Sequence, residues 1–146
     1  MLESYRDLIE ELTAMPGELR RLLGEPAVST LDPTVIRLVA ELRDRDRLVL
    51  QRLQAIMAQR EAYLRAIPAP DEHTAGPEAE DAEEVVSAFN MARGDLISLL
   101  MNLTLRDWDR AAMGEVDGET TLAEEVERHV EFDEEHLARI EASLEG

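Results

Sequence analysis

Four long stretches of this chain repeat apolar residues every three or four positions, and this periodicity constrains the fold more than any other feature. The spacing places the apolar side chains of each stretch on one face of a helix. It predicts helices near residues 3–23, 32–58, 79–103 and 120–144. No segment alternates apolar and polar residues, so the sequence predicts no sheet. We therefore expect an all-α fold, a single antiparallel four-helix bundle spanning residues 1–146.

Local signals indicate where helices begin. Asp32 before Pro33 is typical of an N-cap followed by proline in the first helical turn. The run Thr104–Asp107 resembles a capping box with Asp in place of Glu, which predicts a short helical turn. Either Thr120 or Thr121 is expected to cap the last helix.

Other signals indicate interruptions and loops. Pro16 and Gly17 predict a kink or a break in the first helix. The second helix is expected to continue in helical form as far as Ile67. Residues 68–81, rich in Pro, Gly and acid, predict a mobile, solvated loop, and residues 113–122 predict a second loop.

The ionisable residues exclude several classes of function. The chain has 33 acidic and 15 basic residues, and every basic residue is Arg. It contains no Lys and no Cys. A lysine or cysteine nucleophile, a P-loop and a disulfide scaffold are therefore excluded.

The charge is unevenly distributed along the chain. Residues 1–67 carry 11 acids and 10 Arg, a net charge of −1, whereas residues 68–146 carry 22 acids and 5 Arg, a net charge of −17. Such a surface repels phosphate groups, so we expect neither nucleic acid nor a membrane as a partner. The sequence has no apolar run long enough to span a bilayer and does not open like a signal peptide, which predicts a soluble, cytoplasmic protein.

Polar side chains interrupt three of the apolar stripes. They are Glu41, Arg45 and Asp46 in the second stretch, Arg93 in the third, and His129, Asp133 and His136 in the fourth. The last three have helical offsets of 0, 4 and 7, which place them on one face over two turns. Bundles build metal sites from such inward carboxylates and imidazoles. A buried network of Arg93 with Asp or Glu explains the same residues without a ligand, and both interpretations stay open.

The passage FNMARGDLISLLMNLTLRDWDRAAMGEVDGETTLAEEVERHVEFDEEHLARI resembles the DinB/YfiT-like superfamily. The similarity lies in an L-T-x-x-D-W-D-R turn, a G-x-x-T-L helix start, and a last helix like the family's H-D-x-x-H-L-x-x-I. Trp108 followed by Asp109–Arg110, together with Thr121–Leu122, carries it most specifically. The second-helix passage VIRLVAELRDRDRLVLQRLQAI resembles the family's V-x-x-H-L-x-D-x-E-R segment.

The resemblance implies an up-down-down-up bundle, often dimeric, that holds a divalent metal through three histidines. Those family positions correspond here to Glu41, Phe132 and His136. Only His136 keeps the family residue. Glu41 could ligate a cation through oxygen, but Phe132 has no donor atom.

Neighbouring polar residues offer substitutes for the missing ligand. His129 and Asp133 lie beside Phe132 or one turn away and could complete a rearranged site, with Asp46 and Arg93 as its polar surroundings. We expect no tightly bound cofactor, while Zn, Ni, Mn or Fe is the kind of divalent ion that the remaining ligands could hold.

Two functional interpretations follow from the resemblance. The favoured one is a non-catalytic or weakly metal-binding bundle that takes a small ligand, in a stress-response role and as a homodimer. Leu48 and Leu50, which flank the core stripe, are candidates for the dimer surface. The alternative is a metal-dependent enzyme, of the family's thiol-dependent transferase or hydrolase type, that uses a rearranged site.

Overall fold

The computed structural model describes residues 2–24, 32–67 and 81–145, with side chains from residue 5 onward. The elements in chain order are α1 (Leu2–Leu23), α2 (Pro33–Ala58), β1 (Ala62–Leu64), α3 (Ala82–Met101), α4 (Leu105–Trp108), β2 (Ala111–Gly114), β3 (Gly118–Thr121) and α5 (Leu122–Glu145). The mobile loop predicted at 68–81 lies, except for its last residue, outside the described residues.

The four long helices pack as a bundle. Helix α2 packs against α3 and α5, and α1 packs against the same two helices. The prediction of an all-α four-helix bundle is confirmed. Within the described ranges, no helix is both long enough and apolar enough to cross a membrane.

A small three-stranded sheet contradicts the prediction that the chain has none. β1 pairs in parallel with β2, with Ala62 opposite Ala112, and β2 pairs antiparallel with β3. The helical continuation to Ile67 and the loop at 113–122 are therefore wrong as well. Each strand has only three or four residues, too few for alternation to stand out in the sequence.

The predicted helix starts are confirmed in atomic detail. Asp32 Oδ1 accepts a hydrogen bond from the backbone N–H of Thr34 at 2.7 Å. Thr104 and Asp107 form a reciprocal capping box at the start of α4. The Thr121 hydroxyl accepts from the N–H of Glu124 at 3.2 Å and caps α5. Of the kink or break predicted at Pro16 and Gly17, the break is absent, because α1 runs through Pro16 as one helix.

The apolar core consists of two clusters at different levels of the bundle. The cluster nearer the sheet includes Leu12, Val49, Leu53, Leu96, Leu100, Trp108 and Val126. The cluster toward the other end includes Met15, Leu19, Leu38, Leu42, Phe89 and Ile140. Each long helix passes from one cluster to the other, and in three of them a charged residue marks the change.

Candidate functional site

A layer of ionisable side chains separates the two apolar clusters. It consists of Asp46 on α2, Arg93 on α3, and His129 and Asp133 on α5. Asp46 and His129 are completely buried, and Arg93 is 1% exposed. We call these four residues the polar layer. A buried charge without a partner costs several kcal/mol, so two or three such charges would cost about as much as the whole folding stability of a small domain. How the four side chains pair therefore decides what the polar layer can do.

The Arg93 guanidinium is the centre of the polar layer. Its Nε and Nη2 donate to the two carboxylate oxygens of Asp46 at 2.8 and 2.9 Å. Its Nη1 and Nη2 donate to both oxygens of Asp133 at 2.7 Å. The second N–H of Nη1 donates to the backbone carbonyl of Leu12 at 2.8 Å. All five N–H groups of the guanidinium therefore have acceptors.

His129 completes the layer from the side of Asp46. Its Nε2 lies 2.6 Å from Asp46 Oδ1. Burial by itself would raise the pKa of Asp46, but hydrogen bonds from His129 and Arg93 hold that pKa below its usual value. An ionised carboxylate only accepts, so the Nε2–H of His129 is the donor. The two carboxylates in turn raise the pKa of Arg93 against the opposing effect of its burial.

Three members of the layer are close enough together to be metal ligands. Donor atoms of Asp46, His129 and Asp133 all lie within 4.8 Å of one another. Both carboxylates, however, already bind Arg93 in bidentate geometry. A cation bound here would displace a buried guanidinium from its partners, at a cost of several kcal/mol. The layer is therefore a closed ion network that does not fit a metal ion while Arg93 is in place.

The three family positions, on α2 and α5, lie close together beside the polar layer, and Phe132 directly precedes Asp133. His136 Nε2 donates to Glu41 Oε1 at 2.8 Å. The Phe132 ring stacks on the His136 ring, with their centroids 4.0 Å apart. His136 is 2% exposed, and its Nδ1 is buried without a hydrogen-bond partner in the described part of the chain.

Two arginines surround these family positions. The Nε of Arg37 lies 3.6 Å from Glu41 Oε2, and the guanidinium of Arg45 lies over the Phe132 ring, 4.6 Å from its centroid. A protein metal centre typically needs three or four ligands, whereas one carboxylate and one imidazole remain here. The neighbouring positive charges further oppose a divalent cation. The residues at the family positions therefore do not fit a tightly held metal.

Sequence reasoning missed a further buried acid, Glu125, which is 4% exposed at the start of α5. Arg52 donates to both of its oxygens, at 2.8 and 3.0 Å, and Arg128 donates at 2.8 Å. Burial would raise the pKa of Glu125, but these hydrogen bonds hold it below the usual value. The available signal was the spacing of three between Glu125 and Arg128, which is common on exposed helices and so did not stand out.

Comparison with known proteins gives independent support for the fold. The sequence matches no protein-family model and no curated protein. The solved structure of YfiT from Bacillus subtilis, described as "a probable metal-dependent hydrolase with an unusual four-helix bundle topology", superimposes with a TM-score of 0.78. The match covers 99% of this chain and 87% of YfiT at 18% sequence identity. This chain therefore has the four-helix bundle fold of YfiT, which is the fold that the sequence resemblance implies.

Proposed function

We propose that this chain is a single-domain DinB/YfiT-like bundle whose metal site is incomplete, and that it binds a small ligand without metal-dependent catalysis. Divalent metals are held weakly at most. The single observation that carries the proposal is the Phe132 ring, which stacks on His136 at a family ligand position and offers no donor atom.

The remaining contacts support the same conclusion. Glu41 and the Nε2 of His136 are joined to each other by a 2.8 Å hydrogen bond. The nearest other carboxylates and imidazole, in the polar layer, are joined to Arg93 or to one another. Metal-dependent hydrolysis needs a cation that polarises a substrate or lowers the pKa of bound water, and in this chain the neighbouring carboxylates and imidazoles already bind one another or Arg93.

The second candidate is a metal-dependent enzyme of transferase or hydrolase type with a rearranged site. Two observations favour it: the close-set donor atoms of Asp46, His129 and Asp133, and the fold shared with YfiT. This candidate requires Arg93 to leave both carboxylates on metal binding. We rank it second because that displacement would break the four hydrogen bonds that Arg93 donates to Asp46 and Asp133.

The setting of the protein is also part of the proposal. Net charge −18 favours a cytoplasmic protein that stays away from nucleic acid and anionic membranes. We further propose that it is a homodimer with an accessory role in a stress response.

Metal analysis tests the proposed function directly. The protein is purified without a histidine tag, incubated with Zn, Ni, Mn or Fe(II), and desalted before metal is quantified. We expect far less than one metal ion per chain for each of the four. Retention of close to one ion per chain would reject the incomplete-site proposal and support the enzyme candidate.

A further inference from the structure

Beside the family positions, the fold forms a small pocket rich in arginine. The pocket has a volume of about 260 Å³ and lies where the ends of β1 and β2 meet α2 and α5. Its ionisable lining residues are Arg45, Arg52, Arg65, Arg128, Glu115, Asp117 and Glu125. The basic residues outnumber the acidic ones here, although the chain as a whole carries a net charge of −18.

Two of the pocket arginines are already neutralised. Arg52 binds both oxygens of Glu125, and its Nη1 also donates to the backbone carbonyl of Arg65. Arg128 pairs with Glu125 at 2.8 Å and with Asp117 at 3.7 Å. These pairs account for Glu125 on α5 and Asp117 in the β2–β3 turn, whereas the third acid, Glu115, accepts a hydrogen bond from the backbone N–H of Ala66 at 3.4 Å.

Arg45 is different from its neighbours. Its Nε is buried and has no hydrogen-bond partner, and its guanidinium makes no ion pair within the described ranges. Its contact is with the face of the Phe132 ring. Burial, followed by repulsion from Arg52 and Arg128, lowers the pKa of Arg45. Among the described residues, Arg45 is therefore a half-buried cation that makes no direct ion pair, with Glu125 and Asp117 acting on it only at longer range.

We propose that this pocket binds a small organic monocarboxylate, with its carboxylate on Arg45. The inference rests on the proposed function and names the ligand class that it requires. A single surplus positive charge matches a single negative charge, whereas a phosphate dianion would also face Glu125 and Asp117. The apolar side chains of Leu64, Ile67 and Val116 line the same pocket and accommodate the organic part of the ligand. The volume lies just below the range of roughly 300–1,000 Å³ usual for ligand pockets, which restricts the ligand to a small molecule.

Isothermal titration of the full, metal-free chain with sodium benzoate tests the proposal. Two further compounds are titrated as controls. Benzamide has nearly the same shape as benzoate but no charge, and inorganic phosphate is charged but has no apolar part. We expect saturable binding of benzoate and at least about tenfold weaker binding of both benzamide and phosphate, the size of effect typical of a charge-assisted hydrogen bond. Absence of benzoate binding, or equal binding of benzamide, would overturn the proposal. Preference for phosphate would identify an inorganic-anion site and would overturn it as well.

Two variants locate the binding. Arg45→Met removes the unpaired cation, and Arg47→Met makes the same change at an exposed position of α2. We expect at least about a tenfold loss of benzoate affinity in the first and none in the second. Equal benzoate affinity in both variants would mean that benzoate binds elsewhere on the protein. If Arg45→Met does not fold, the titration of the unmodified protein with the three compounds tests the proposal alone. The protein is treated with EDTA, so this titration does not depend on metal. If benzoate fails to bind, the proposal of an incomplete metal site still stands. If the protein retains metal tightly, that proposal is rejected and the monocarboxylate site is not.

Discussion

At the scale of single residues, the polar layer depends on the geometry of one guanidinium. Arg93 binds two carboxylates on different helices and a backbone carbonyl of a third, so it joins all four long helices at one level. Lys has three donors on a single nitrogen and could not reproduce two bidentate pairs. Because the layer is buried, it depends on Arg93 having an acceptor for each of its N–H groups, and removal of Arg93 would leave two buried carboxylates without that partner.

Replacing Arg93 should therefore be costly. Arg93→Met leaves Asp46 and Asp133 buried without their shared partner, and we expect a loss of about 3–5 kcal/mol in the free energy of unfolding, measured by urea denaturation. Arg47→Met, exposed on α2, is the control and should change stability by less than about 0.5 kcal/mol. Similar losses in both variants would mean that the network does not stabilise the fold.

The polar layer also predicts how stability depends on pH. The pKa of Asp46 is lowered in the folded state, so its contribution is present above the unfolded pKa of about 4 and is lost as the pH falls through the folded value. The stability difference between the unmodified protein and Asp46→Asn should be largest near neutral pH and should shrink below about pH 4. Chemical denaturation at several pH values measures it, with Asp95→Asn, an exposed acid on α3, as the control for net charge. A difference that grows on acidification would contradict this account.

At the scale of elements, the sequence predicts the long helices well and the sheet not at all. A helix of twenty residues repeats its pattern over five turns, so the signal accumulates, and caps such as Asp32 and Thr104 mark its ends. The strands pair over three or four residues that are distant in sequence. Pairing of β1 with β2 joins residues fifty positions apart, such as Ala62 and Ala112, and local patterns do not encode such a contact.

The turn between β2 and β3 gives an element-scale prediction. Gly118 has φ +71°, a conformation that costs a residue with a Cβ roughly 1–2 kcal/mol, so Gly118→Ala should destabilise the protein. Gly94 lies inside α3, where an added Cβ would meet nothing within 4 Å. Gly94→Ala should therefore stabilise the protein by roughly 0.5–1 kcal/mol. Paired thermal melts compare the two substitutions, and shifts of the same sign would contradict the assigned backbone geometry.

At the scale of the whole molecule, apolar surface remains available on the bundle. Leu50, Met57, Leu99 and Leu103 line a groove of about 680 Å³ between α2 and α3, and Met91 on α3 is 71% exposed. Leu48 and Leu50, predicted to flank the core, are both half-buried. Burial of this face against a second copy would remove it from water.

We therefore expect a homodimer that salt strengthens, because salt screens the repulsion between two chains of net charge −18. Light scattering at micromolar protein, at low and high ionic strength, measures this. A monomer under both conditions would rule the dimer out.

The sequence identified the residues of the candidate site, but it did not show which of these side chains form ion pairs with one another. Spacing and resemblance pointed to Glu41, His136 and the polar interruptions of the stripes. That Arg93 would bind both Asp46 and Asp133, closing the group that could otherwise hold a cation, depends on how three helices meet. Arg45 was also visible as an interruption of the second stripe, but its lack of an ion pair among the described residues was not, since a charge on a helix is usually solvated.

The central proposal is that Phe132, at a position where the family resemblance implies a histidine ligand, leaves the metal site of this chain incomplete. Calorimetric titration of zinc into the unmodified protein and into Phe132→His tests it most directly. The substitution supplies an imidazole four residues before His136. Residues that only hydrogen-bond to a metal ligand contribute roughly tenfold to metal affinity, so we expect a new direct ligand to raise zinc affinity by more than tenfold. Adding His136→Ala to that variant should abolish the gain. Tight zinc binding by the unmodified protein, or no gain in Phe132→His, would contradict the account.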